Sequence, residues 1–228
     1  MISTWNIMGP EGTTTEELLV AFDRGRTRRL LVCPAWFDEA NKLRRFTVEV
    51  MRRLDNAGID SFLPDLPGCN DSLAPAALQT LPGWRAGMEA AAHKFGATNV
   101  LAIRAGALLV PAHLPGWHYA AQSGPKLLRG MIRARTIAAR EAGLEEQADT
   151  LMALGRSEGL VLGGWQLGAA MIRDLETAEP VRAQGHSDIA QSQVGGPGMW
   201  LRAEPDEDAK QVDALTAIIS DDLSGTSA

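Results

Sequence analysis

Short apolar runs of strand length alternate along the chain with longer segments in which apolar residues recur every three or four positions. That alternation is what a mostly parallel sheet wrapped by helices requires, so the expected fold class is α/β. Leu30-Leu31-Val32-Cys33 is a continuous apolar run closed by Pro34, which predicts a central strand buried on both faces. Leu43, Phe46, Val50 and Leu54 then recur at helical spacing with arginines opposite; Asp38 or Asn41 is suited to cap this helix and Gly58 to end it in the left-handed conformation. Ile59–Leu63 predicts a second strand, stopped by Pro64-Asp65-Leu66-Pro67-Gly68. Trp84, Met88, Ala92 and Phe95 mark a helix that closes at Gly96, and Asn99–Ile103 is a third strand.

Directly after Ile103 the chain turns through Arg104-Ala105-Gly106 into Ala107–Val110, a sharp strand-to-helix transition that Pro111 keeps short. Tyr119-Ala120-Ala121 is a candidate strand. Leu127 to Ala142 and Leu144 to Leu154 read as two helices rich in Ala and Arg, a candidate helical cap over residues 124–156. Leu160–Leu162 suggests a short strand, and Leu167, Ala170, Met171 and Leu175 the stripe of another helix. Residues 185–198 read as loop on composition, followed by a last strand, Met199-Trp200-Leu201, and a terminal helix carrying Val212, Leu215, Ile218 and Ile219. No repeat or linker interrupts the pattern, so one domain over residues 1–228 is expected.

Composition narrows the function classes. A chain of 228 residues buries enough surface to fold without a structural metal or disulfides. Cys33 and Cys69 form no C-x-x-C pair, which excludes zinc ribbons and redox motifs; neither a metal nor a cofactor is expected. The N-terminal residues show no basic region leading into an apolar run, and no stretch approaches the roughly 20 apolar residues of a membrane span. The expected location is cytoplasmic. A net charge of −6 argues against nucleic acid as partner. Locally, residues 24–53 hold nine basic residues against three acidic ones, and residues 126–140 hold five basic residues and no acid. Each is either a solvated face or a surface for an acidic partner.

Two segments are more specific than the α/β pattern. Asp65-Leu66-Pro67-Gly68-Cys69-Asn70-Asp71-Ser72 resembles the D-x-P-G-x-G-x-S turn of the α/β-hydrolases. About 35 residues later, Ala102-Ile103-Arg104-Ala105-Gly106 falls where that fold places its nucleophile elbow, G-x-S-x-G. Pro34-Ala35-Trp36-Phe37-Asp38-Glu39-Ala40-Asn41-Lys42-Leu43-Arg44-Arg45 resembles the P-P-F-x-E-E-x-N-K-x-R-R stretch of the exosortase A system-associated hydrolases, a bacterial branch found with exopolysaccharide loci. The segment Trp200–Asp208 resembles that group's ending. The resemblance implies an α/β-hydrolase fold and a setting in exopolysaccharide production or protein sorting.

It does not carry over the chemistry. Arg104 stands at the elbow, and guanidinium, protonated at every physiological pH, cannot be a nucleophile. The segment after Leu201 contains no histidine to act as the base; only His186, in the expected loop before the last strand, is open to recruitment. The first reading is therefore a catalytically degenerate protein that binds an anionic small molecule. Its candidate ligand-binding residues are Arg104 and Ala105 at the elbow, with Trp36, Phe37, Asp38 and Asn41 from the loop after the first strand. The competing structural reading pairs Arg104 with an internal carboxylate, Asp65 or Asp71. A second reading is an accessory protein that meets a protein partner or polymer through its basic surfaces. The third is an esterase, thioesterase or acyltransferase with a displaced nucleophile, Cys69 or Ser72. Asp65, Gly68, Asp71 and Ser72 are expected to shape the turn, with Cys69 an inert thiol.

Overall fold

The runs that are apolar without alternation become the strands at the centre of the sheet, because both of their faces are covered by helices. In a computed structural model that describes residues 1–8 and 14–225, strands Ile2–Met8 (β1), Thr14–Phe22 (β2) and Arg29–Cys33 (β3) lead into helix Phe37–Asn56 (α1). Strand Asp60–Pro64 (β4), helix Leu81–Lys94 (α2), and strands Asn99–Ile103 (β5) and Gly116–Tyr119 (β6) follow. Two helices, Gly124–Glu141 (α3) and Ala148–Glu158 (α4), precede the hairpin Leu160–Leu162 (β7) and Trp165–Leu167 (β8). Helix Ala169–Leu175 (α5), strand His186–Ile189 (β9), helix Gln191–Val194 (α6) and helix Ala209–Ser224 (α7) complete the order.

Seven strands form the main sheet in the order β1-β2-β4-β3-β5-β6-β9. The five from β4 to β9 are parallel, and the β1–β2 hairpin joins antiparallel through β2 and β4. Successive residues of β3 point to opposite faces. Leu30 and Val32 pack with Phe46, Val50 and Leu54 of α1 and with Leu215 and Ile219 of α7. Leu31 and Cys33 face the cluster built by Met88 of α2, Leu128 of α3 and Ile172 of α5. Burial of each such Leu or Val stabilises the fold by about 1.5–3 kcal/mol relative to exposure, so this double-sided core fixes where β5 ends and the elbow begins.

The three expected strands lie where the sequence puts them, with β5 beside β3 and β3 beside β4. Gly58 ends α1 at φ 80°. Other elements differ. Neither Asp38 nor Asn41 caps α1; Trp36 is the N-cap and makes no side-chain bond. The expected strand at Tyr119–Ala121 lies three residues earlier, because Gly116 is needed where a Cβ would approach the Val100 carbonyl oxygen to 1.9 Å and Ala120 already turns to positive φ. Leu160–Leu162 is a strand but belongs to a separate hairpin, closed by Gly163 and Gly164 at positive φ, the geometry of a tight two-residue turn.

Residues 185–198 contain β9 and α6 rather than loop alone. As an edge strand β9 needs only one partner and buries only Ile189, so its polar residues hide it from pattern reading. Met199–Leu201 is a single 3-10 turn, not a strand, which leaves β9 as the sheet's edge. The β1–β2 hairpin has no counterpart among the elements read from the sequence. Among the described residues, no helix is long and apolar enough to cross a membrane.

Candidate functional site

The turn after β5 is a strained elbow. Arg104 holds φ 56°, a conformation that non-glycine residues rarely adopt, and Ala105 and Gly106 behind it are fully buried. Gly106 is required there: a Cβ would come within 2.2 Å of the Cys33 carbonyl oxygen and 2.6 Å of that of Pro34. The elbow therefore packs directly against the end of β3, and the loop leaving β3 brings the first turn of α1 over Arg104.

The Arg104 guanidinium is held along its edges and over one planar face. Nε donates to Glu39 Oε2 at 2.9 Å and Nη2 to Glu39 Oε1 at 2.8 Å, a bidentate pair, while Nη1 donates to the Ala120 carbonyl at 2.8 Å. The Trp200 ring covers the planar face, with the guanidinium carbon 4.2 Å from its centroid. The partner is thus Glu39 and neither Asp65 nor Asp71, because α1 begins at the elbow's side of the sheet whereas Asp65 turns to Arg44 at 2.5 Å. Glu39 also lies in the first turn of α1, where the helix dipole favours a carboxylate.

Next to this pair runs a chain of glutamine hydrogen bonds. Tyr119 Oη donates to Gln191 Oε1, and Gln191 Nε2 donates to Gln211 Oε1 at 2.9 Å and to the Gly195 carbonyl at 2.9 Å. Gln211 in turn donates to the Pro197 carbonyl at 3.0 Å and to Asp208 at 3.1 Å. This network holds the turn that carries Trp200 against the elbow.

No family model matches the chain, and no curated protein does. Among solved structures, Est1E from Butyrivibrio proteoclasticus superposes with a TM-score of 0.58 at 12% identity, covering 98% of each chain. Est1E with bound ferulic acid gives a TM-score of 0.57 at 12% identity, over 97% of this chain and 98% of that one. A protein from Agrobacterium vitis S4 described as a hydrolase gives 0.50 at 12% identity, over 96% and 99%. The fold is that of the α/β-hydrolases. In α/β-hydrolases the triad follows the chain order nucleophile, acid, histidine. In this chain the elbow carries Arg104, the helix after β9 begins with Gln191, and the turn before α7 holds Trp200.

The remaining expected residues divide sharply. Trp36 and Phe37 are buried in an aromatic cluster with Trp84 and Trp165, their rings 5.0–6.2 Å apart. Asp38 and Asn41 lie on the exposed side of α1, Asp38 paired with Lys42 at 2.7 Å. In the 65–72 turn, Gly68 takes φ 80°, and Ser72 Oγ accepts from the Gly68 and Ala74 N–H groups at 2.8 and 3.1 Å. The same hydroxyl donates to buried Glu17 at 3.0 Å, and Asp71 is exposed. Burial, with Asp65 and Glu17 nearby, pushes the Cys69 thiol well above its ordinary range, so little thiolate forms.

His186 lies within β9, not in a loop. Its Nε2 meets the Leu114 carbonyl at 2.8 Å and its Nδ1 the Ala183 N–H at 3.2 Å, so it tethers the edge strand. Its ring lies 4.8 Å from that of His118, which is fully buried on β6 with neither nitrogen hydrogen-bonded among the described residues. Burial foremost, then the neighbouring His186 and Arg182, lower the His118 pKa to about 4. His118 is not among the candidate residues read from the sequence.

The basic runs also separate. Of the nine cations in residues 24–53, all but Arg28 are ion-paired among the described residues, as in Arg26 with Asp55 and Asp60 or Arg29 with Asp23 and Asp60. In the 126–140 run, Arg135 pairs with Glu146, but Lys126, Arg129 and Arg133 are exposed and have no acidic partner among the described residues. These three share one face of α3 and line a cleft of about 1270 Å³ beside α4 and Leu201.

Proposed function

We propose that this chain is a non-hydrolytic α/β-hydrolase-fold protein that binds an anionic ligand, in the exopolysaccharide or exosortase setting that its sequence resemblance implies. The observation that carries the reading is the bidentate Arg104–Glu39 pair beneath Trp200, which fills the elbow with a guanidinium that cannot attack and a carboxylate whose two oxygens accept from it. Because Glu39 already neutralises Arg104, anion binding is assigned to the unpaired cations of α3. Lys126 also lines the smaller cavity of about 360 Å³ that reaches Arg104 and His118, so the two spaces adjoin.

A displaced nucleophile is disfavoured by the same geometry. Cys69 is buried with its thiol protonated, and Ser72 spends its hydroxyl on the turn and on Glu17. Incubation with excess fluorophosphonate followed by intact-mass spectrometry is expected to return the unmodified chain. A stoichiometric adduct on Ser72 or any other serine would restore the hydrolase reading.

A further inference from the structure

The α3 cleft combines two chemistries that a simple anion does not need together. One wall carries Lys126, Arg129 and Arg133, all exposed and without carboxylate partners among the described residues. The lining also contains Ile132 and Met152, and Leu201, an apolar side chain left 73% exposed at its edge. At the N-terminal end of α3, Gln122 is only 7% exposed, lines the same cleft, and its Oε1 has no hydrogen-bond partner among the described residues. A buried amide oxygen without a partner is costly unless something completes it, and turning the amide over places its NH₂ group there as a donor.

We infer that this cleft binds an amphipathic anion, an unbranched apolar chain ending in a carboxylate or phosphate head. The inference rests on the anion-binding reading and names its ligand class. The head sits at the Gln122, Lys126 and Arg129 end. Lys126 and Arg129 are one helical turn apart, a rise of about 4.5 Å that one phosphate group can bridge. Among the described residues the acids lining the cleft are Asp149 and Glu176, and Glu176 is held by Arg156 at 2.6 Å, so positive charge remains in excess. The chain covers Ile132, Met152 and Leu201. A small polar anion would leave Leu201 and the half-buried Met152 in water, and a neutral chain would leave the three cations unused. The volume exceeds the roughly 300–1,000 Å³ typical of small-molecule pockets, which leaves room for an extended chain.

Isothermal titration of the full chain with dodecyl phosphate and with dodecanoate, both below their aggregation concentrations, tests this. One equivalent of each should bind, with dodecyl maltoside and inorganic phosphate each at least tenfold weaker. Arg129→Ala with Arg133→Ala should weaken dodecyl phosphate at least tenfold, and Leu201→Ser at least threefold. These residues are exposed, and an unchanged unfolding midpoint will show that the variants fold. If inorganic phosphate binds as tightly as dodecyl phosphate and both respond to the arginine variants, the amphiphile assignment is overturned while the anion-binding reading stands. If no anion binds, or binding ignores the arginine substitutions, both are overturned. Equal binding of the neutral maltoside also overturns the assignment.

Discussion

Glu39→Gln is expected to lower the free energy of unfolding by about 3–5 kcal/mol, the cost of breaking a buried ion pair from one side. Arg104 cannot shed its proton, and its side chain is only 8% exposed, so the change strands a permanent cation beneath Trp200. Arg104→Met should cost less, because the Glu39 side chain is 17% exposed and can recover part of its hydration. The double replacement Arg104→Met with Glu39→Leu should return most of the loss, since two apolar side chains of similar volume remove both desolvation penalties. Urea unfolding of the four proteins checks the order. A Glu39→Gln protein as stable as the parent would mean that the pair is not formed in solution.

Acidification should expose His118 as the second large term. The unfolded chain binds a proton at this residue below about pH 6.5, whereas the folded chain resists until about pH 4. Between those values the unfolded state carries one more proton, so stability falls as pH falls. The shift corresponds to a loss of about 3 kcal/mol, complete near pH 4 and absent above pH 7. Replacing His118 by Phe should flatten this part of the profile. Carboxylates held low by arginines, such as Asp55 beside Arg24 and Arg26, contribute their own loss at lower pH and cancel when the two proteins are subtracted. A parent and variant with parallel pH profiles from 7 to 4 would show that His118 finds a proton partner in the folded chain.

What could be read from the sequence follows from what each segment must bury. Leu30–Cys33 and Val100–Ile103 are covered on both faces, so they carry no polar residues and their runs announce central strands. Arg104-Ala105-Gly106 was legible as a turn because only small residues fit where Gly106 meets the end of β3. By contrast β9 satisfies one edge and buries Ile189 alone, so His186-Ser187-Asp188 looks like loop. Met199-Trp200-Leu201 has strand composition, but Trp200 is drawn onto the guanidinium and Leu201 is left exposed, an outcome set by tertiary contacts.

The partner of Arg104 was the largest miss, since Glu39 is 65 residues away and Asp65 looked equally suitable. A signal for it did exist. Glu39 lies in the first turn of the helix that leaves β3, and β3 is the parallel neighbour of β5, so both residues emerge at the same end of adjacent strands. The unpaired cations of α3 were visible as a run without acids. That the equally basic 24–53 run would be consumed by Asp23, Asp55 and Asp60 required the fold.

Turnover of 4-nitrophenyl acetate and butyrate by the parent and by Arg104→Ser with Glu39→Gln tests the central claim most directly. The second substitution removes the carboxylate that the first would strand, so the variant can present a serine at a folded elbow. Both proteins are expected to match the buffer rate, because Gln191 and Trp200 supply neither an acid nor a base to activate that serine. Saturable turnover by the parent, or a catalytic serine regained in the variant, would contradict the account.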